Sequence, residues 1–462
     1  MLFSSTVFIF VFLPMVWMGY FLLRPFRHLS NLFLLMASLF FYAWGEPVYV
    51  FLMIASIIVN YFFGLRAEKV EQGSKQGHWL IFWMLLYNVG VLFIFKYLAF
   101  TISFINSQGG YHFPVPTILL PIGISFFTFQ GISYVVDVYR KTDKAQRNIL
   151  NVGLYLAFFP QLIAGPIVRY NTIAQEIESR RDNWDDFSTG LNRFGIGLAK
   201  KVLLSNRLAI VADAAFSQVN QGLSLVFAWI GVIAYALQIY YDFSGYSDMA
   251  IGLGLMFGFH FNENFNYPYV SQSVSEFWRR WHISLGQWFR DYVYFPLGGS
   301  RVTNMDHLIR NLFVVWLLTG IWHGANATFI MWGLWFFVFI LIEKLFGLTK
   351  ALKKRGRALP TTYTLLVVLF GWVLFRSPSM PMAFSYFGHM LNPFKSTFIT
   401  ATDLMYLKEY GLFLGAGIVL AIPWKPVKGL KWLAPLLIWA IFLMSVVYLV
   451  KGTYNPFIYF NF

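Results

Sequence analysis

The feature that most constrains this chain is a series of long apolar runs spread along nearly its whole length. Many of them extend for about 17 to 25 residues, which at about 1.5 Å per residue is enough to cross roughly 30 Å of hydrocarbon. Of the 462 residues, 58% are hydrophobic and only 12% are charged. A water-soluble fold could not bury so much apolar surface. The sequence therefore predicts an all-α polytopic membrane protein.

The charges between these runs predict their orientation, because positively charged loops stay in the cytosol. Basic residues cluster in the loops that contain Arg24, Arg66 and Arg140, whereas Glu46 is the only acidic or basic residue in the connections around 45–47 and 106–116. We predict about eleven to thirteen crossings. Their approximate positions are 2–23, 30–44, 47–64, 79–105, 118–139, 225–243, 308–322, 326–347, 361–376, 410–424 and 432–450, with a charge-interrupted run at 190–213.

Residues 150–168 break the alternation, since an apolar stretch is followed by a charged segment that again has a cytosolic composition. We interpret them as a re-entrant segment, bent at Phe159-Pro160 and Gly165-Pro166. Proline removes a backbone donor, and broken backbone persists at membrane depth only where protein or water covers it. No internal repeat or soluble domain is visible, so we expect residues 1–462 to form a single membrane domain.

Several classes of function lack support. The net charge is +15, but the basic residues fall in short loops rather than in one patch, so we expect no nucleic-acid partner. The chain has no cysteine, which excludes a disulfide framework, a thiolate nucleophile and a cysteine-bound metal, and no metal site is predicted. The Walker, G-x-S-x-G, H-E-x-x-H and dinucleotide motifs are also missing from the sequence.

His323 is the strongest candidate for chemistry. It is the only acidic, basic or histidine side chain between Arg310 and Glu343, and Gly320 and Gly324 flank it. Ionisable groups inside a membrane are usually functional, and a desolvated neutral imidazole is a competent general base. We expect the glycines to loosen the helix and to leave room beside the ring. The alternative is a histidine that a neighbouring helix satisfies with a backbone carbonyl.

A second candidate is the aromatic and basic block around Arg279, Arg280 and Arg290. Its aromatic residues recur at helical spacing, and its arginines could reach lipid headgroups or a nucleotide-like phosphate such as that of coenzyme A. An interfacial anchoring helix explains the block equally well. In a third block, Asp242 and Asp248 could bind a cation or orient a histidine. We favour a structural role for them, with Asp248 as a helix N-cap.

Taken together, these blocks resemble the membrane-bound O-acyltransferase family, in particular its bacterial alginate O-acetyltransferase branch. The resemblance rests on blocks that occur in the same order and extend to the closing segment of the chain. They are 126–140, 159–169, 241–250, 277–299, 318–326 and 454–460.

The resemblance implies a ring of helices, with re-entrant and interfacial helices, around a thin central catalytic region. An acyl donor, with acetyl-CoA the simplest candidate, would enter from the cytosol and an acceptor from outside. His323 matches the family's Trp-His-Gly histidine and His282 its second histidine, while Arg279, Arg280 and Arg290 would receive the donor.

The same resemblance implies a place in the bacterial inner membrane, a polysaccharide acceptor and a serine-hydrolase-like partner in the periplasm or at the surface. Within the family, a D-alanyl transferase of teichoic acid modification is the alternative. Outside it, a transporter or flippase would explain the hydropathy equally well, and a scaffold that anchors a partner enzyme is a third hypothesis.

Overall fold

The structure is a computed structural model that describes residues 1–302, 304–392, 397–424, 431–452, 454–456 and 458. Regular structure in these residues is helical throughout. Six of the helices are long and apolar enough to cross a membrane, by length and composition. The predicted all-α polytopic class is therefore confirmed, while the ring arrangement and the larger number of crossings stay predictions.

The helices form two compact units whose segments interleave along the chain. The first unit comprises residues 1–195 and 246–262, and the second comprises residues 196–245 and 263–462. Helices of the first unit are α1 (Leu13–Leu23), α2 (Arg27–Gly45), α3 (Val50–Lys69), α4 (Lys75–Lys96), α5 (Leu98–Gly109), α6 (Ile124–Tyr139), α7 (Ile149–Ala157), α8 (Phe159–Leu162), α9 (Tyr170–Ser179) and most of α10 (Trp184–Ala199). That the whole chain acts as a single membrane domain stays a prediction.

Polar side chains join neighbouring helices inside the first unit. Asn60 on α3 and Asn88 on α4 exchange side-chain hydrogen bonds of 3.2 and 3.0 Å, and both are buried. Helix α6 also approaches α3 closely, since a Cβ on Gly131 would lie 2.8 Å from the amide of Asn60. Hydrogen bonds and small residues are the means by which helices associate in lipid, where burial of apolar surface gives no driving force.

The predicted bend in the segment 150–168 is confirmed. Helix α7 ends before Phe158 and the short helix α8 begins at Phe159, with Pro160 in its first turn. The backbone N–H of Phe159 donates to Ser38 Oγ at 3.2 Å, so a polar group freed by the break finds a partner on α2. The segment is buried along nearly its whole length, as a broken backbone in a membrane requires.

Some boundaries differ from those predicted. The apolar run 79–105 is divided between α4 and α5 at Tyr97, and the run 118–139 becomes helical only at Ile124, after Pro121. A further helix, Met380–Leu391, was missed because 12 residues are too few for the length criterion of a crossing.

Helices of the second unit surround the candidate site. They are α11 (Asn206–Ser217), most of α12 (Leu225–Met256), α13 (Val274–Arg280), α14 (Ile283–Phe289), α15 (Met305–His323), α16 (Ala327–Leu345), α17 (Leu348–Lys353), α18 (Ala358–Arg376), α19 (Met380–Leu391), α20 (Ala401–Leu420) and α21 (Ala434–Lys451).

The carboxylates of Asp242 and Asp248 both lie inside α12, so the prediction that Asp248 caps a helix was wrong. The helix continues through the glycines that follow, and Asp248 forms a 3.0 Å ion pair with Arg193. Asp242 pairs with Lys201 at 2.5 Å, with both side chains 1% exposed. A buried charge must be paired, and the ion pairs give both acids the structural role that we favoured.

The closing segment reaches the same buried pair. Lys201 also donates to the carbonyl oxygen of Pro456, and the backbone N–H of Ile458 donates to Asp242 at 3.0 Å. The other members of the block 454–460 that carried the resemblance, Phe457, Tyr459 and Phe460, lie outside the described residues.

Two glycines let α15 and α16 pack closely. A Cβ on Gly320 would lie 2.6 Å from the carbonyl oxygen of Phe329, and one on Gly333 would lie 2.4 Å from that of Trp316. We had expected Gly320 to leave room beside the imidazole. Instead, it permits close contact between the two helices. The antiparallel pair holds His323 at the C-terminus of α15.

Candidate active site

His323 is the last residue of α15 and is 8% exposed. The helix ends there because Gly324 adopts an extended conformation at φ 168° and ψ 162°. Three aromatic rings lie against the imidazole: those of Trp322, Trp332 and Phe375, with centroids at 4.7, 4.8 and 5.0 Å. All three pack edge to face, which fixes the plane of the imidazole by packing.

His282 lies in the turn between α13 and α14, where its backbone adopts a left-handed conformation at φ 45° and ψ 54°. The aromatic residues of this block recur at helical spacing, but the helix is interrupted at this residue. The side chain is 3% exposed, and burial lowers the pKa of His282 to about 3. The imidazole is therefore neutral near pH 7, which is the form that can accept a proton.

One polar residue organises the surroundings of His282. Asn264 Oδ1 lies 3.2 Å from His282 Nδ1, 2.9 Å from Ser284 Oγ and 3.3 Å from the backbone nitrogen of Ser284. The imidazole also packs edge to face with the ring of Phe243, with the two centroids 4.6 Å apart. Among the described residues, His282 Nε2 is buried and has no hydrogen-bonding partner.

The structure brings the two predicted histidines together through the indole of Trp322. This ring lies 6.0 Å from the imidazole of His282 and 4.7 Å from that of His323. Trp322 directly precedes His323 in the sequence, so the end of α15 supplies both groups. The two histidines therefore belong to one aromatic-walled centre, although they are 41 positions apart in the sequence.

A cleft of about 470 Å³ opens beside His282. It is lined mainly by apolar side chains of α13, α14, α15 and α16, and a volume of this size is typical of small-molecule sites. Four of its lining residues carry basic side chains: Arg279, His282, Arg290 and Lys344. The start of α13 is fixed in place by Glu343 on α16, which accepts the backbone N–H groups of Val274 and Ser275 at 2.6 and 3.1 Å.

The three predicted donor-binding arginines differ in their surroundings. Arg279 lines the cleft, and no carboxylate of the described residues pairs with it. Arg290 also lines the cleft, but its guanidinium forms a 2.7 Å ion pair with Asp291. The guanidinium of Arg280 pairs with Glu276 at 2.9 Å and donates to the carbonyl oxygen of Asn266 at 3.2 Å. Arg280 does not line the cleft, so its charge stabilises the turn before His282.

A known protein family matches the part of the chain that contains these residues. The family model of the membrane-bound O-acyltransferases matches residues 140–375, a range that contains both histidines and the cleft. The chain belongs to this family. It is therefore a multi-pass membrane protein and an O-acyltransferase.

Curated relatives of this acyltransferase include enzymes that modify glycans. The "Probable alginate O-acetylase AlgI" of Pseudomonas syringae is 44% identical over 85% of this chain and 75% of its own length. The "Peptidoglycan O-acetyltransferase" of Helicobacter pylori is 36% identical over 83% of this chain and 78% of its own. The "Teichoic acid D-alanyltransferase" of Bacillus subtilis is 28% identical over 57% of this chain and 69% of its own.

Sequence reasoning missed several residues of the candidate site. Lys344 lies in the last turn of α16, where a basic residue is typical of a helix C-terminus. Asn264 lies in a polar loop 18 positions before His282. Trp332 and Phe375 each lie among several other aromatic residues in apolar helices. No local signal distinguishes them, because their proximity to His323 arises only from the packing of α15, α16 and α18.

Proposed function

We propose that this acyltransferase passes an acetyl group from a thioester donor on the cytosolic side to an extracytoplasmic polysaccharide, or to a partner that completes the transfer. His323 and His282 are the proton-accepting groups of the reaction centre. The observation that carries this proposal is the buried pair of imidazoles around Trp322, next to a cleft with cationic side chains.

The chemistry balances with one imidazole as a general base. As the oxygen of the acceptor hydroxyl attacks the thioester carbonyl, its proton moves to the imidazole nitrogen. The C–S bond then breaks, and the imidazolium returns the proton to the departing thiolate. We assign the base to His323, and the neutral form of buried His282 makes it the second candidate. A centre walled by aromatic rings also keeps water away from the thioester.

The donor end of the reaction is proposed to lie in the cleft. Arg279 and Lys344 are cations without a carboxylate partner among the described residues, and Arg290 is close to them along the same wall. A donor with phosphate groups, of which acetyl-CoA is the simplest, would supply the missing negative charge. Arg280, which we also predicted to bind the donor, would contribute by supporting the turn of His282.

The acceptor is proposed from the relatives. Two of them are named for O-acetylation of alginate and of peptidoglycan, and both match this chain over more of its length than the D-alanyltransferase does. An extracytoplasmic glycan is therefore the acceptor we favour over teichoic acid. A bacterial inner-membrane location and a serine-hydrolase-like partner remain part of this proposal.

The test is the content of O-acetyl esters in the surface polysaccharide of cells that carry wild type, His323→Ala or His282→Ala. His260→Ala is the matched control, because His260 is half exposed and lies in the first unit. We expect both site variants to lose acetyl esters and the control to retain them, at equal protein levels in the membrane. Normal esters in His323→Ala would contradict the proposal and favour a transporter or a scaffold.

A further inference from the structure

We propose that Asn264 is a positioning residue that fixes His282 in the tautomer with its proton on Nδ1, so that Nε2 is the nitrogen that accepts a proton. This inference rests on the proposed role of His282 in the transfer. It adds a residue that lies outside the blocks that carried the resemblance, and it assigns each nitrogen of the imidazole a separate task.

The orientation of the Asn264 amide follows from a backbone group. The N–H of Ser284 can only donate, and it points at a side-chain atom of Asn264 at 3.3 Å. That atom must be an acceptor, so it is the amide oxygen and not the amide nitrogen. The hydroxyl of Ser284 lies 2.9 Å from the same oxygen and can donate to it as well.

The tautomer of His282 follows from the orientation of Asn264. The same oxygen lies 3.2 Å from His282 Nδ1, and two acceptors cannot form a hydrogen bond with each other. Nδ1 therefore carries the proton and donates it to Asn264. In a neutral imidazole the other nitrogen then holds a lone pair. Nε2 is buried and has no partner within the described part of the chain, so this lone pair is available to a reacting hydroxyl.

The backbone holds both partners in register. Ile283 N donates to the carbonyl oxygen of Asn264 at 3.0 Å, and Asn266 N donates to that of Arg280 at 2.9 Å. These bonds tie the segment 264–266 to the turn of His282. The left-handed backbone at His282 is uncommon for a residue with a side chain, and such conformations are retained mainly where the surrounding structure enforces them at functional sites.

The experiment compares Asn264→Leu with Asn264→Asp. Leucine has a similar volume but accepts no hydrogen bond, whereas aspartate restores the acceptor. Asn311→Leu is the control, because Asn311 is a fully buried asparagine that donates to Gly299 and, within the described part of the chain, forms no hydrogen bond with either histidine. For each purified protein, kcat and KM for acetyl-CoA are measured across pH, together with ¹⁵N spectra of protein labelled in the histidine rings.

For Asn264→Leu we expect kcat to fall about 100-fold with KM changed less than about threefold, since a wrong tautomer removes one of the two proton-accepting imidazoles and leaves binding intact. The ¹⁵N signals of His282 should show the proton moving to Nε2. Asn264→Asp should recover kcat to within about tenfold of wild type, and its acid limb should shift to higher pH because a carboxylate stabilises the imidazolium.

Unchanged ¹⁵N signals in Asn264→Leu, or an equal loss of kcat in Asn311→Leu and Asn264→Leu, would overturn the inference. A fully active His282→Ala would instead contradict the proposed function and leave the tautomer result to be decided by the spectra. The two failures are therefore distinguishable.

Discussion

The ion pairs of the first unit and the cleft of the second unit use charged side chains in different ways. Three sets of charged groups in the first unit are paired: Arg193 with Asp248, Arg27 with Asp182, and His260 with Glu176 and Asp186. In the second unit, the cleft beside His282 contains Arg279 and Lys344, for which the described residues supply no carboxylate, and a histidine that burial keeps neutral.

The difference separates groups that hold the fold from groups that are available to a ligand. An ion pair within the protein satisfies its own charges, so it gives little attraction to a substrate. Unpaired cations in a cleft attract an anion, and a neutral imidazole in a buried site can take a proton. Three predictions test this contrast between the paired groups of the first unit and the unpaired groups of the second.

The largest effect is expected when the two histidines of the second unit are removed together. His323→Ala should lower kcat about 1,000-fold, which lies within the usual contribution of a general base. Because groups that act as a unit are not additive, the double variant with His282→Ala should be hardly slower than His323→Ala alone. The measurement is acetyl transfer by purified protein at saturating donor. Independent, multiplying losses would show that the histidines do not act as a unit.

A smaller effect is expected from the cations. Arg279→Gln and Lys344→Gln should each raise the KM for acetyl-CoA about tenfold with little change in kcat, as loss of a charge-assisted hydrogen bond would do. Arg193→Gln, in the first unit, should lower the melting temperature and leave KM unchanged. If instead Arg193→Gln raised KM as much as the cleft variants do, the contrast between the units would be wrong.

The smallest effect concerns pH, and its sign differs between the two units. Burial opposes protonation of His260, but Glu176 and Asp186 outweigh it and raise its pKa above 6.5. His260 therefore stabilises the fold below pH 6.5, and that contribution is lost as pH rises through its folded-state pKa. The pKa of His282 is lowered to about 3, so its contribution is present above pH 6.5 and is lost as pH falls toward 3.

Thermal unfolding at pH 5 and pH 8 measures both contributions. His260→Gln should lower the melting temperature by only a few degrees at pH 5, because an exposed ion pair contributes little. The decrease should be smaller at pH 8, because the contribution of His260 is lost as pH rises. The melting temperature of wild type minus that of His282→Gln should be larger at pH 8 than at pH 5. The same sign for both variants would contradict the assigned pKa shifts.

Much of the fold could be predicted because the membrane imposes a length and a composition on each crossing. The apolar runs located most of the long helices, and Pro160 marked the break between α7 and α8. Errors occurred where the local pattern was ambiguous. Asp248 was predicted to cap a following helix, yet α12 continues through it as far as Met256, with Gly252 in close contact with the backbone of Gly190.

By itself, the sequence determined the class of the protein, the positions of most long helices and two histidines worth testing, because these depend on local composition and on blocks that recur within a family. Only the tertiary structure decided that His282 and His323 share one indole, that Arg280 is paired while Arg279 has no carboxylate partner among the described residues, and that Asn264 faces Nδ1 of His282. Each of these features either brings together residues that are distant along the chain or gives neighbouring residues different surroundings. They depend on the packing of several helices, which no local pattern in the sequence encodes.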